Sequence, residues 1–185
     1  MDKNILYLDV ETNGSGGFRP PQQRIMQLSW IFKNNEYNYF INDVDTVSPD
    51  VPHDLSVSFC KESGVSWNHA YNILHGHLED SDIVVCHNTA FDLGSVAFEL
   101  KKRKHKKLKE YKSILKDLIK ADDIYCTMLN SIDICKIKFP NSSGYKYPKL
   151  EELYKHLFKK SPDEFGDLHD ALVDCKVLKL CYEEL

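Results

Sequence analysis

The sequence has no apolar run approaching the ~20 residues that a bilayer-crossing helix needs, so a conventional membrane-spanning helix is excluded and no membrane partner is expected. No leader segment is expected either, since Asp2 and Lys3 give way at once to a predicted strand, and secretion is not expected. Cysteines occur at 60, 86, 126, 135, 175 and 181, but no two form a Cys-x-x-Cys pair. Several lie in apolar stretches, which predicts reduced core thiols rather than disulfides or zinc ligands. Internal repeats and low-complexity tracts are absent. These absences leave one domain over residues 1–185, intracellular, in the cytoplasm or the nucleus. With 42% hydrophobic and 28% charged residues, the chain has an ordinary supply of core and surface.

What is present is acid at particular places. Ile5 to Glu11 reads as a strand, in which side chains two apart share a face. Ile5, Tyr7, Asp9 and Glu11 then lie on one side and Leu6, Leu8 and Val10 on the other. A strand apolar on both faces and ending in two same-side carboxylates reads as a central strand opening into a site. Taken alone, Asp9-x-Glu11 fits a solvated strand end better. Asp92 follows an apolar run, Ile83 to Cys86, that reads as a buried strand. It leads into a helix marked by Leu93, Val96, Ala97 and Leu100. Thr89-x-x-Asp92 equally fits a helix capping box. On the last helix Asp174 shares a stripe with Val177, Leu178 and Cys181, so its carboxylate points toward the protein body. Such a group is costly unless neutralised, hydrogen-bonded or bound to metal. His169 stands at the start of that helix beside Asp167 and Asp170, candidate caps, and alone it is an ordinary surface residue.

The remaining pattern is α/β. After a loop from Asn13 to Pro21, a strand places Met26, Leu28, Trp30 and Phe32 on one face, and Asn34-Asn35 suits a hairpin turn into a strand over Tyr37 to Ile41. Trp67, Tyr71, Leu74 and Leu78 mark a helix despite Gly76. A short strand spans Ile124 to Cys126, and Leu150, Leu153, Tyr154, Leu157 and Phe158 mark another helix. The loop contributes Phe18 and Arg19 as candidate base contacts, although a plain connector fits it better. Tyr145 and Tyr147 fit base stacking and ordinary packing equally.

Charge is unevenly distributed. Residues 101–120 carry ten Lys or Arg against Glu110 and Asp117, a net +8 in a chain of net −4, so the rest carries −12. Leu108, Tyr111, Leu115 and Leu118 make this segment a helix beside the Asp92 helix. A solvated basic face and a phosphate-binding face both fit it. Lys101-Lys102-Arg103-Lys104 also has the pattern of a nuclear localisation signal.

Taken in order, Asp9-x-Glu11, His87-Asn88-x-x-Phe91-Asp92 and His169-x-x-x-x-Asp174 resemble the three motifs of the DEDDh branch of the 3′-to-5′ exonucleases, the DnaQ-like family of the RNase H-like fold. Tyr145 to Tyr154 and Cys126-Thr127-Met128 also resemble segments of that family. Ser63-Gly64-Val65-Ser66 stands where many members have His-Gly-Ile-Thr, so substrate contacts from that loop are not carried over. The resemblance implies a mixed central sheet of about five strands flanked by helices. It implies two Mg²⁺ ions, with Mn²⁺ able to substitute, held by Asp9, Glu11, Asp92 and Asp174, with Asp9 bridging. Hard cations of this kind prefer oxygen ligands. His169 would be the general base. Thr12, Asn88, Phe91, Lys101, Lys102, Arg103 and Lys104 are the expected substrate contacts. The expected partner is nucleic acid with a single-stranded 3′ end, DNA first, and the expected product a nucleoside 5′-monophosphate. An RNA-trimming enzyme and a proofreading subunit working with a polymerase are the alternatives; with eleven residues after Asp174, a separate polymerase-binding tail is not expected.

Overall fold

The computed structural model describes residues 3–14, 23–140 and 143–185. Five strands form one sheet: β1 (Ile5–Thr12), β2 (Ile25–Phe32), β3 (Asn35–Phe40), β4 (Ile83–Cys86) and β5 (Ile124–Cys126). Their order is β3-β2-β1-β4-β5. The first three make an antiparallel meander, and β4 and β5 add parallel to β1. The hairpin turn uses Lys33 and Asn34, both at positive φ, with Phe32 paired to Asn35. It therefore sits one residue earlier than the expected Asn34-Asn35. A two-residue turn of this hand matches the twist of the strands it joins. From residue 15 onward, the Asn13–Pro21 loop, with Phe18 and Arg19, lies outside the described residues.

The helices are α1 (Val57–Ser63), α2 (Trp67–Glu79), α3 (Thr89–Lys102), α4 (Leu108–Ala121), α5 (Thr127–Asn130), α6 (Ile132–Cys135), α7 (Leu150–Phe158) and α8 (Ala171–Glu184). None is long and apolar enough to cross a membrane. They divide between the two sheet faces as the strand alternation dictates. Leu6, Leu8 and Val10 join Leu28, Trp30 and Phe32 under α2, α3 and α4, while Tyr7, Ile31 and Val85 pack against α7 and α8. Met26 leaves its expected neighbours and packs with Val44 and Cys60. The stripe predicted on the last helix is present, with Val177, Leu178 and Cys181 fully buried. Five cysteines are buried and Cys135 half-buried, all as free thiols.

Two polar ties fix the layers to the sheet. Glu99, fully buried on α3, accepts from Arg24 Nε (2.7 Å), the Ile25 N–H (3.0 Å) and Arg103 Nε (2.8 Å), and Arg103 in turn grips the Asp43 carboxylate. On the other face the Ala171 N–H, at the start of α8, donates to Gln27 Oε1 on β2 (3.1 Å). The Asp170 carboxylate caps α8 by accepting from the Leu172 and Val173 N–H groups.

Candidate metal centre

Three chain segments end at the same place. β1 and β4 run parallel, so both open at their C-terminal ends, and the N-terminus of α8 is held over β2 by Gln27. Ligand sites in open α/β sheets form at such strand ends. Asp9 and Glu11 come from β1, on the Tyr7 side that α8 covers, and a bulge between Glu11 and Thr12 ends the regular pairing. Asp92 lies in the first turn of α3 and Asp174 in the first turn of α8. Each is near a helix N-terminus, which favours negative charge. The capping-box alternative for Asp92 is not adopted: Asn88 is the N-cap residue and no side chain caps α3. Asp92 is 2% exposed and turned into the site.

A pocket of about 550 Å³ collects eight of the twelve expected site residues: Asp9, Glu11, Thr12, Asn88, Phe91, Asp92, His169 and Asp174. Lys101, Lys102, Arg103 and Lys104 do not line it. They stand at the far end of α3, about 14 Å along the helix from Asp92 at 1.5 Å per residue. Arg103 is held by Glu99 and Asp43, whereas its three lysine neighbours are exposed.

The electrostatics of the cluster are one-sided. Burial pushes the Glu11 carboxyl up to about 9, with Asp174 and Asp92 adding to the rise. Burial raises Asp92 to about 8 against backbone hydrogen bonds that pull it down. Asp174 rises to about 7, again mainly by burial, and Asp9 is driven well above the carboxylate range by burial and by Asp92 beside it. Ligand atoms of Glu11, His169 and Asp174 all lie within 4.8 Å of one another, a group that can hold a metal ion. Asp174 Oδ1 is buried without a hydrogen-bond partner among the described residues. An orphaned buried carboxylate oxygen within a set of hard oxygen donors fits a divalent cation.

His169 is exposed at the pocket mouth with φ 72°, a left-handed conformation uncommon for a residue with a side chain. Its backbone N–H donates to Asp174 Oδ2 (3.3 Å). Burial of the ring and the nearby Lys149 ammonium lower its pKa below the ordinary histidine value. Three residues before it, Gly166 adopts φ 118°, which suits glycine.

Sequence reasoning gave no role at this pocket to Met128 or Lys149, which line it together with Tyr147, one of the two tyrosines considered for base stacking. His53, buried behind β1, bonds through Nε2 to the Thr12 carbonyl (2.8 Å), while its Nδ1 accepts from the Leu55 N–H (3.2 Å). His87 bonds through Nε2 to the Pro148 carbonyl (2.9 Å) and through Nδ1 to Thr127 Oγ1 (2.9 Å). Burial lowers its pKa to about 4, so it is neutral at pH 7. A carbonyl only accepts, so Nε2 carries the proton and Nδ1 accepts from the threonine hydroxyl. Spacing in the sequence signals none of these long-range partners. The one available hint was the Tyr145-Lys146-Tyr147-Pro148-Lys149 run before α7.

No family model and no curated protein sequence matches the chain. Among solved structures it is similar to cell-death related nuclease 4 (CRN-4), with a TM-score of 0.59 and 12% sequence identity. The match covers 98% of this chain but 62% of that one, so the chain spans less than two thirds of the nuclease's length. At this identity the likeness establishes the fold alone: a mixed five-stranded sheet flanked by helices, the α/β architecture that the motif order implied.

Proposed function

We propose that this pocket hydrolyses phosphodiester bonds of nucleic acid, as a divalent-metal-dependent exonuclease working from 3′ ends, with DNA as its first substrate. The observation that carries the reading is a cluster of four carboxylates gathered in one pocket, whose shifts trace to burial and to neighbouring acids. Such a cluster is unfavourable by itself and becomes favourable around bound cations. The nuclease fold of the structural neighbour supports the reaction class, and the resemblance to the DEDDh motifs supports the 3′-to-5′ direction.

Asp9, Glu11, Asp92 and Asp174 would hold two Mg²⁺ ions, or Mn²⁺ in their place. Bound there, the cations offset the charge that builds on the attacking and leaving oxygens of a phosphodiester. His169 takes the proton from the attacking water. Its lowered pKa keeps the ring neutral at pH 7 and able to accept that proton, and its backbone bond to Asp174 ties its position to the carboxylate cluster. Thr12, Asn88 and Phe91 line the same pocket and contact the terminal nucleotide. The product is a nucleoside 5′-monophosphate.

The test is digestion of 5′-labelled single- and double-stranded DNA and RNA with Mg²⁺, with Mn²⁺ and with EDTA. The expected result is a ladder shortening from the 3′ end in either metal and none in EDTA. Faster loss of RNA would assign an exoribonuclease. Substrates left intact under every condition would make the chain a binding protein.

A further inference from the structure

Residues 136–149 lie between α6 and α7, and the chemistry proposed above uses none of them. Lys138 and Tyr145 are directly opposed across an antiparallel hairpin, flanked by hydrogen bonds from Phe139 N–H to the Gly144 carbonyl (3.4 Å) and from Lys146 N–H to the Ile137 carbonyl (2.8 Å). That is the close, non-hydrogen-bonded register, in which the two side chains share a face. Tyr147, two residues on, reaches the rim of the carboxylate pocket. Tyr145 is 37% and Tyr147 45% exposed, and Lys138 is exposed as well.

The base of this arm is fixed. His87 bonds to the Pro148 carbonyl, and the Glu152 carboxylate accepts from the Lys149 N–H (2.8 Å) and the Lys146 ammonium (2.5 Å). Lys149 lies close enough to His169 to lower its pKa. The exposed rings of Tyr145 and Tyr147 and the exposed ammonium of Lys138 therefore stand on an arm whose base adjoins an acidic site that would repel phosphate by itself.

We infer that this hairpin is a stacking track for one unpaired strand of nucleic acid, with the bases on Tyr145 and Tyr147 and a phosphate at Lys138. The inference rests on the nuclease reading and narrows its substrate to single strands. Stacking on aromatic side chains with cations along the backbone is how proteins hold single strands without regard to sequence.

The experiment measures equilibrium binding of a 5′-fluorescein oligothymidylate of about ten nucleotides, with Ca²⁺ in place of Mg²⁺, to the whole chain carrying Tyr145→Ala with Lys138→Ala. Affinity should fall at least tenfold, and the slope of log affinity against log salt should flatten by about 0.7 for the lost phosphate contact. Tyr145→Phe, which keeps the ring, should bind within about twofold of wild type. Wild-type affinity in the double variant overturns the track, as does a loss in Tyr145→Phe equal to that in the double variant. Wild-type digestion of DNA and RNA reports on the nuclease reading separately. Binding that depends on Tyr145 without digestion sinks that reading alone, and digestion with binding indifferent to Tyr145 sinks the track alone.

Discussion

Four carboxyl groups pressed together should make the metal-free protein lose stability as pH rises. Glu11, Asp92 and Asp174 are pushed up to about 9, about 8 and about 7, whereas in the unfolded chain they return to about 4. Above that value the unfolded chain has released protons that the folded protein still holds, so stability is highest at low pH and declines until the folded values are passed. Each proton held in this way costs about 1.4 kcal/mol per pH unit. Counting a single shared proton from about pH 5.5 to about pH 7.5 gives a loss of roughly 3 kcal/mol, or about 6–12 °C in melting temperature for a chain of this size. Bound cations replace the protons and reverse the trend. A hundredfold excess of Mg²⁺ or Mn²⁺ over its dissociation constant returns about 2.7 kcal/mol, with the larger effect at the higher pH. The assay is thermal unfolding in EDTA and in metal across that range, run beside Asp174→Asn, which removes one charge and should flatten both responses. A wild-type melting temperature that neither falls with pH in EDTA nor rises with metal would refute the assignment of the cluster as a cation site.

How much of this could be read from the sequence depended on whether the signal was local. Strand alternation placed Asp9 and Glu11 on one face because the period of two is set by the backbone itself, and α8 was aimed by its apolar stripe in the same way. By contrast, α1 was not legible, because Cys60 is the one buried residue in its seven positions and no periodicity develops. Glu99 was missed for a different reason. Its partner Arg24 is 75 residues away, and nothing in either local pattern says that a glutamate off the main stripe of α3 is buried and paired. Arg103 was grouped with three lysines by composition, but Asp43 and Glu99 distinguish it from them in three dimensions. The three motifs, each at the end of a separate element, contain the carboxylates that the fold collects in one pocket. His53, Gln27 and His87, which hold those elements in place, act across the sheet and leave no spacing to read.

Three further outcomes follow from the same geometry. His169→Ala should lower turnover about 10²-fold and remove the acidic limb of the pH–rate profile; in the wild type that limb lies below the ordinary histidine value because the ring must stay neutral, and a limb that survives in the variant gives the role to another group. Glu99→Ala should cost about 3 kcal/mol by urea unfolding, the lower end for breaking a buried ion pair, because Asp43 still pairs with Arg24 and Arg103; a midpoint within error of wild type would make the network dispensable. Neutralising Lys101, Lys102 and Lys104 together should weaken binding only of substrates long enough to reach them. These lysines begin about 14 Å along α3 from Asp92, about four nucleotides at 3.4 Å each. They stand on the helical layer opposite the one that α7 belongs to. A long oligonucleotide should lose up to about 2 in the slope of log affinity against log salt, at about 0.7 per contact, while a trinucleotide should lose nothing. Arg103 is left intact in this variant, since replacing it would disturb Glu99 and confound phosphate binding with folding. An unchanged slope on the long substrate would make the three lysines a solvated face and leave the hairpin as the route of the strand.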